Sequence, residues 1–285
     1  MTKPPTVQDF FRRFPDDDSC LEHLMQTRYG ESLDCPKCGR HGKFHRRKKR
    51  PVYECQWCSH DISPMAGTPF ERSHTPLQKW FYAMYLFTNT RHGVPAKELQ
   101  RQLGVTYKTA WRMGHEIRKY MAKTDGDDGL SGHVEVDETY VGGKHPGKRG
   151  RGAAGKTAVF GMLQRAGNVM THVVPNVQRK TLYPIIQSMI ATGSTISSDE
   201  LKSYATLRNL GYTHGTVDHS REQWANGIHH VNALEGYWAQ IKRSIKGTHI
   251  HVSGKHMSKY LGEFEFRYNM RGAPEIMFSR LLSRF

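Results

Sequence analysis

The chain has 285 residues, of which 37% are hydrophobic, so it is long enough for a main domain of ordinary size and one or two small modules. A formal net charge of +16 and a sequence pI of about 9.7 favour a polyanionic partner, and nucleic acid is the usual one. A basic protein without such a partner is the alternative. No run of about 18 apolar residues occurs, and the first residues hold no apolar signal-peptide core, which argues against a membrane-spanning or secreted protein.

The first 30 residues read as a short helical element with a break at Pro15–Asp18. Apolar residues at a spacing of three and four, such as Phe10 and Phe14, give it a buried face. Asp18 or Ser19 is the expected N-cap after the break.

Four of the five cysteines form two Cys-x-x-Cys pairs, with 16 residues between the pairs. This is the spacing of a structural zinc site, in which four thiolates complete a tetrahedron and leave no open position for water. Two redox-active or disulfide-forming motifs are the alternative, although cysteines in this number suit a reducing compartment better. The predicted zinc ligands are Cys35, Cys38, Cys55 and Cys58.

A basic arm separates the two cysteine pairs, and seven of its eleven residues are Lys or Arg. Arg46, Arg47 and Lys48 lie in this arm and are predicted to contact DNA phosphates. Such contacts would position the protein without reading base sequence. A solvated loop is the alternative.

Residues 75–121 show a helical pattern with a helix-turn-helix outline. Gly104 permits a sharp turn, and Thr106 can cap the following helix. Lys108 and Arg112 fall outside the apolar packing set of that helix, so we predict that they contact DNA. A purely structural three-helix subdomain would show the same apolar pattern.

Strand signals begin at His133, after a polar, Gly-rich linker. Three strand-like runs come first, and helices then alternate with short strands. This order predicts an α/β domain with a mixed sheet. The three runs are His133–Val141, Thr157–Leu163 and Val169–Val174.

Asp137 and Asp199 are the candidate catalytic aspartates, one within a strand and one directly after a strand. Alternation places Glu135 on the same strand face as Asp137. The neighbouring Glu138 and Glu200 are expected to point elsewhere. Acidic residues at strand ends are usually solvated, so each aspartate alone is weak evidence.

The third candidate carboxylate, Glu235, lies on a strongly helical stretch whose buried stripe is Leu234, Trp238, Ile241 and Ile245. Lys242 is seven residues further on and lies on nearly the same side of the helix. An ordinary amphipathic helix with solvated charges is the alternative. Two aspartates and one glutamate are the ligands with which a polynucleotidyl transferase holds two Mg²⁺ ions.

Five segments together resemble the insertion-sequence transposases of the DDE superfamily, which join an N-terminal zinc ribbon to an ISXO-like, RNase H-type integrase domain. The resemblance covers nearly the whole chain. The segments are the two cysteine pairs, Val136-Asp-Glu-Thr-Tyr-Val-Gly-Gly-Lys144, Ser198-Asp-Glu200, His230-Val-Asn-Ala-Leu-Glu-Gly-Tyr-Trp-Ala-Gln-Ile-Lys-Arg243 and Glu263-Phe-Glu-Phe-Arg-Tyr-Asn-Met-Arg271.

The resemblance implies a catalytic triad of Asp137, Asp199 and Glu235, with Lys242 as a downstream basic partner. Some relatives carry Asn as the third residue, and Asn232 lies three positions before Glu235, about 60° away around the helix. We predict Glu235 because two Mg²⁺ ions favour anionic oxygen ligands. Asn232 and His230 are kept as candidate neighbours of the site, and Mn²⁺ as an alternative metal.

The predicted reaction cuts each transposon end to expose a 3′-OH, which then attacks target DNA. The expected partners are the terminal repeats and the target DNA of a bacterial chromosome in the cytoplasm, with no membrane. Two ends must be brought together, so a homodimer or larger assembly is expected. Lys148, Arg149 and Arg151, in a basic loop between two strands, and Arg243 are further candidate DNA contacts.

Two other functions fit the same features. One is a zinc-ribbon and helix-turn-helix regulator with an inactive α/β domain, and the other is an RNase H-fold nuclease that cuts without joining. The predicted organisation is an N-terminal helical segment (1–30), a zinc ribbon (31–73), a helix-turn-helix-like region (74–123) and an RNase H-like integrase domain (131–285), the last with a mixed sheet flanked by helices.

Overall fold

The computed structural model describes residues 3–125, 129–142, 155–217 and 225–283. Two compact units account for them: residues 3–120 with 273–283 form the first unit, and the described part of 121–272 forms the second. Among the helices of these residues, none combines the length and apolar character needed to span a bilayer.

The first unit begins with two separate helices, α1 (Val7–Arg13) and α2 (Asp17–Tyr29). Pro15 separates them, since a residue before proline is disfavoured in the helical region. The N-cap of α2 is Asp16, whose Oδ1 accepts a hydrogen bond from the Ser19 N–H at 2.8 Å. The predicted caps Asp18 and Ser19 are therefore wrong, because Asp16 already has the extended backbone that a cap requires.

Five short strands form the ribbon that carries the cysteine pairs. The first two strands pair antiparallel, and the other three form an antiparallel sheet in the order β3-β4-β5. The strands are β1 (Leu33–Asp34), β2 (His41–Gly42), β3 (Phe44–Arg46), β4 (Tyr53–Cys55) and β5 (Asp61–Ile62).

Three helices follow the ribbon and confirm the expected helix-turn-helix outline. Gly104 adopts the left-handed conformation between the second and third of them, and Thr106 Oγ1 accepts a hydrogen bond from the Thr109 N–H at 3.2 Å. The helices are α3 (Leu77–Asn89), α4 (Ala96–Leu103) and α5 (Tyr107–Asp125), and a last short helix, α9 (Met277–Leu282), packs on α3.

The second unit is built on a five-stranded mixed sheet in the order β10-β9-β6-β7-β8. The first three strands in sequence form an antiparallel meander, and the other two run parallel to β6. The predicted RNase H-like mixed sheet is thereby confirmed. The strands are β6 (His133–Val141), β7 (Thr157–Gln164), β8 (Val169–Val174), β9 (Thr195–Ser198) and β10 (Thr213–Thr216).

Each face of this sheet is covered by helices over its own apolar cluster. Val134 and Val136 of β6 pack with α6 (Arg179–Met189) on one face. The stripe of α7 (Asn232–Ser244) and residues of α8 (Gly254–Asn269) cover the other. Between β9 and β10 the chain forms two 3-10 turns, Lys202–Tyr204 and Leu207–Leu210.

Candidate functional site

The two cysteine pairs meet in the first unit as a four-sulfur cluster. The four Sγ atoms all lie within 4.8 Å of one another, and Cys35 Sγ lies 3.6 Å from Cys58 Sγ. Tetrahedral zinc with Zn–S bonds of about 2.3 Å separates its sulfurs by about 3.8 Å, so the cluster fits one zinc ion. Cys38 and Cys55 complete the predicted ligand set.

The two halves of the cluster are alike in backbone structure. The Gly39 N–H donates to the Cys35 carbonyl at 2.9 Å, and the Ser59 N–H donates to the Cys55 carbonyl at 3.1 Å. Gly39 and Ser59 both adopt positive φ, at 69° and 57°. This repeated knuckle turns the backbone so that both sulfurs of a pair face the same point, as a structural zinc site requires.

Three carboxylates converge in the second unit. Asp137, Glu138 and Asp199 each place one oxygen within 4.8 Å of the others, and Glu138 and Asp199 are only 9% and 8% exposed. The parallel pairing of β6 with β9 sets Glu135 opposite Ser197, so two residues further on Asp137 comes opposite Asp199. The sheet register therefore brings together the two aspartates that the sequence analysis selected.

Glu138 belongs to this group, so the expectation that it would point elsewhere is wrong. It lies on the opposite face of β6 from Asp137, and Tyr204 Oη donates a hydrogen bond to Glu138 Oε2 at 3.0 Å. Because Asp199 lies just beyond the end of β9, carboxylates from both faces of β6 reach it. In the sequence, the only signal that Glu138 would join this group was its position directly after Asp137.

The electrostatics of the group favour a divalent cation. Burial, followed by the negative charges of Glu138 and Asp199, raises the pKa of Asp137 to about 7. A cation among the three carboxylates would remove this repulsion, and an all-oxygen ligand set suits a hard divalent ion. The residues present thus fit the metal that the sequence predicted.

Helix α7 passes directly over Asp137. Trp238 Nε1 donates a hydrogen bond to Asp137 Oδ2 at 3.0 Å, a contact that sequence reasoning missed because Trp238 was assigned only to the buried stripe. Glu235 lies one turn earlier on α7 and is exposed. Within the described residues, the three-carboxylate group does not include Glu235, and its role as the third member of the triad stays a prediction.

The remaining predicted residues of α7 lie along the same helix. Asn232 is its first residue, and Lys242 and Arg243 are exposed in its last turn. Seven residues separate Glu235 from Lys242, a rise of about 10 Å along the helix axis. Lys242 therefore lies two turns beyond Glu235 on the same helix, and its role as a basic partner in DNA binding stays a prediction.

The basic residues of the ribbon that were predicted to contact DNA differ in whether they already form ion pairs within the protein. Arg46 pairs with Asp18 at 2.6 Å, and Arg47 pairs with Glu54 at 2.9 Å and with Asp61 at 3.2 Å. Lys48 is exposed.

The two residues of helix α5 that were predicted to contact DNA also differ in whether the protein already binds their side chains. Lys108 is exposed, whereas the Arg112 guanidinium lies over the Trp80 ring, 5.3 Å from its centroid. Lys148, Arg149 and Arg151 lie outside the described residues.

Comparisons with known proteins match both parts of the chain. The model of the ISXO2-like transposase domain matches residues 129–269, and the model of the transposase zinc-ribbon domain matches residues 15–61.

Two curated relatives are similar to this chain. An uncharacterized protein in transposable element ISH50 of Halobacterium salinarum is 28% identical over 275 residues, covering 88% of this chain and 90% of that protein. An uncharacterized transposase-like protein of Haemophilus influenzae is 33% identical over 101 residues, covering 35% of this chain and 80% of that protein. Among solved structures, the crystal structure of the Mos1 strand transfer complex aligns at 14% identity and a TM-score of 0.31, covering 70% of this chain and 75% of that one.

Proposed function

We propose that this protein cuts both ends of its element and joins the exposed 3′-OH groups to target DNA. The premise is its family: the chain belongs to the insertion-sequence transposases that join a zinc ribbon to an ISXO2-like transposase domain, and so it is a DNA transposase of the DDE type. The observation that carries this proposal is the convergence of Asp137, Glu138 and Asp199 within the matched transposase domain.

The proposed metal ligands are Asp137 and Asp199, with Glu235 from α7 as the third and Glu138 as a further carboxylate beside them. Two bound Mg²⁺ ions, or Mn²⁺ in their place, would activate the attacking oxygen and neutralise charge on the leaving oxygen. The Trp238 N–H holds the Asp137 carboxylate in one orientation, which leaves its second oxygen directed away from the indole. Asn232 is the alternative third ligand, through its carbonyl oxygen.

Structural zinc in the ribbon and basic side chains complete the proposal. Lys242 and Arg243 would bind the phosphates of the DNA strand next to the site, and Lys48 and Lys108 are exposed for contacts further away. The DNA would be the terminal repeats and a chromosomal target. Joining needs two ends together, so at least two copies of the chain would act as a homo-oligomer.

A strand-transfer assay with a pre-cut terminal repeat carrying a free 3′-OH tests the proposal. The wild-type protein should join this end to a target duplex in Mg²⁺, and Asp137→Asn should abolish joining while DNA binding survives. Glu200→Gln is the matched control, since Glu200 is the exposed neighbour of Asp199, and it should keep joining activity.

The other outcomes identify the rival functions. Cutting without joining would support a nuclease, and binding without Mg²⁺-dependent cutting would support a regulator. Loss of DNA binding together with joining in Asp137→Asn would mean that the acidic group supports the fold and not the chemistry.

A further inference from the structure

Glu135 is the most deeply buried carboxylate near the acidic group, yet it takes no part in that group. Its side chain is 0% exposed, and Asp137, two residues further along β6, lies on the same face. A buried charge of this kind is costly unless it is paired and hydrogen-bonded. Its partners therefore indicate what it does.

Those partners are the start of helix α7 and one arginine. Glu135 Oε2 accepts hydrogen bonds from the Ala233 and Leu234 N–H groups, both at 3.0 Å. Glu135 Oε1 accepts from Arg165 Nε at 2.9 Å, and His230 Nδ1 lies 3.1 Å from the same oxygen. Both oxygens of the carboxylate therefore accept hydrogen bonds, Oε2 from the first turn of α7 and Oε1 from Arg165.

Helix α7 has no cap of its own. Its N-cap residue is Val231, which makes no side-chain capping hydrogen bond. The first N–H groups of a helix need acceptors, and a negative charge at that end is favourable. Glu135 supplies both from a strand 98 residues earlier in the chain.

Arg165 holds the same segment through its carbonyl groups. Its Nη1 donates to the Ile228 carbonyl at 2.7 Å, and its Nη2 donates to the His230 carbonyl at 3.1 Å. Glu135 and Arg165 together therefore fix residues 228–234 to β6 and to the end of β7. We call these two residues the latch.

The latch and Trp238 hold α7 at two points on either side of Glu235. Leu234, whose N–H the latch binds, is the residue before Glu235, and Trp238, which contacts Asp137, is three residues after it. Fixing a helix at its first turn and at its second leaves little freedom in translation or rotation for a side chain between them. We propose that Glu135 is a positioning residue that sets Glu235 relative to Asp137 and Asp199, an inference that rests on the proposed role of Glu235.

Binding of Mn²⁺ alone to the full-length chain, measured from the loss of the free-ion EPR signal, tests this inference without an activity assay. Glu135→Gln should weaken Mn²⁺ binding by about 10- to 100-fold, the usual effect of changing a group that orients a metal ligand. In a Glu235→Gln background the same substitution should have no further effect, because the residue through which it acts is gone. Arg165→Lys, which keeps the charge beside Glu135 but loses one of the two carbonyl contacts, should weaken binding in the same direction by a smaller factor.

Glu263→Gln is the matched control, because Glu263 is also 0% exposed and also pairs with an arginine, Arg267, within α8. It should lower the midpoint of thermal unfolding and leave Mn²⁺ affinity unchanged. Equal weakening in Glu135→Gln and Glu263→Gln would overturn the inference, since general loosening of the fold would explain both. Should Glu135→Gln not fold, Arg165→Lys with unchanged affinity would overturn it equally.

The proposed function and the inference fail in different ways. If Glu235→Gln binds Mn²⁺ as tightly as the wild type, then Glu235 is not a metal ligand and the inference fails, while the proposed function stands with Asn232 as the third ligand. The proposed function itself fails if the wild-type protein does not join the pre-cut end in Mg²⁺. If Glu235→Gln loses affinity while Glu135→Gln keeps it, or if the two effects multiply in the double variant, only the positioning role of Glu135 is overturned.

Discussion

A single methyl group added at Gly161 should displace the helix that covers the acidic site. Gly161 lies on β7 directly opposite Asp137, and the Trp238 indole packs on its backbone. A Cβ at this position would collide with Trp238 Cζ2, lie 2.6 Å from Cη2 and lie 3.2 Å from Leu234 Cδ1. The indole is 3% exposed and rigid, so it can avoid the methyl group only if α7 moves away from the sheet.

Two terms set the size of the effect. Overpacking a well-packed core costs about 1–3 kcal/mol, and the collision with a rigid ring places Gly161→Ala towards the upper end. Moving Trp238 also weakens its hydrogen bond to Asp137, a bond to a charged acceptor that is worth about 1.5–3 kcal/mol when it is fully lost. With partial loss of this bond, Gly161→Ala should lower the free energy of local opening by about 2–4 kcal/mol in total.

Amide hydrogen exchange of β6 and β7 measures this change as a free energy of local opening. Gly236→Ala is the control, because Gly236 lies on the same helix and an added Cβ meets nothing within 4 Å. That change should stabilise α7 by about 0.5–1 kcal/mol, the usual gain from Gly to Ala in a helix. Unchanged protection and full joining activity in Gly161→Ala would refute the packing argument.

Three further changes have expected outcomes. The folded state holds the Asp137 proton more tightly than the unfolded chain, because the pKa is raised to about 7, so metal-free protein should lose stability as the pH rises from about 4 to 7. Asp137→Asn should remove that loss in urea unfolding measured across this range, whereas an identical pH profile would contradict the electrostatic account. Cys35→Ser should lower the zinc content measured by atomic absorption and unfold the ribbon, since structural zinc contributes folding energy directly. Retention of one zinc per chain would argue against the four-sulfur site. Lys48→Gln should reduce the salt dependence of DNA binding, which is the slope of log K against log [salt], by about 0.9. Arg47→Gln should act mainly on the stability of the ribbon, because Arg47 pairs with Asp61. An equal change of slope in both variants would show that the ion pair does not hold Arg47.

The sequence predicted those parts of the site that depend on local spacing. The cysteine pairs identify four zinc ligands because a knuckle needs only a few consecutive residues. Strand alternation around Asp137 and the apolar stripe of α7 were equally visible, since each follows from one periodicity. The convergence of Asp137 with Asp199 was implied by the family resemblance, and the pairing of β6 with β9 supplies its physical reason.

The sequence could not predict contacts that depend on the register between distant segments. Glu138 joins the acidic group because Asp199 lies past the end of its strand, where both faces of β6 are within reach. Glu135 caps helix α7, and this role cannot be seen in the sequence because it depends on where α7 packs against β6. In the ribbon, Arg46 looked available for DNA until Asp18 of α2 was brought next to it.

The borrowed cap of α7 has a consequence for the chain during its synthesis. Short helices in water are marginal without tertiary support, and α7 receives part of that support from a strand 98 and 99 residues upstream. Until the ribosome has added α7, the central strands can pair, but the helix that carries Glu235 is not yet there to pack beside them. We therefore expect a product that ends before α7 to hold Asp137, Glu138 and Asp199 without the helix that carries Glu235, and to be inactive in strand transfer.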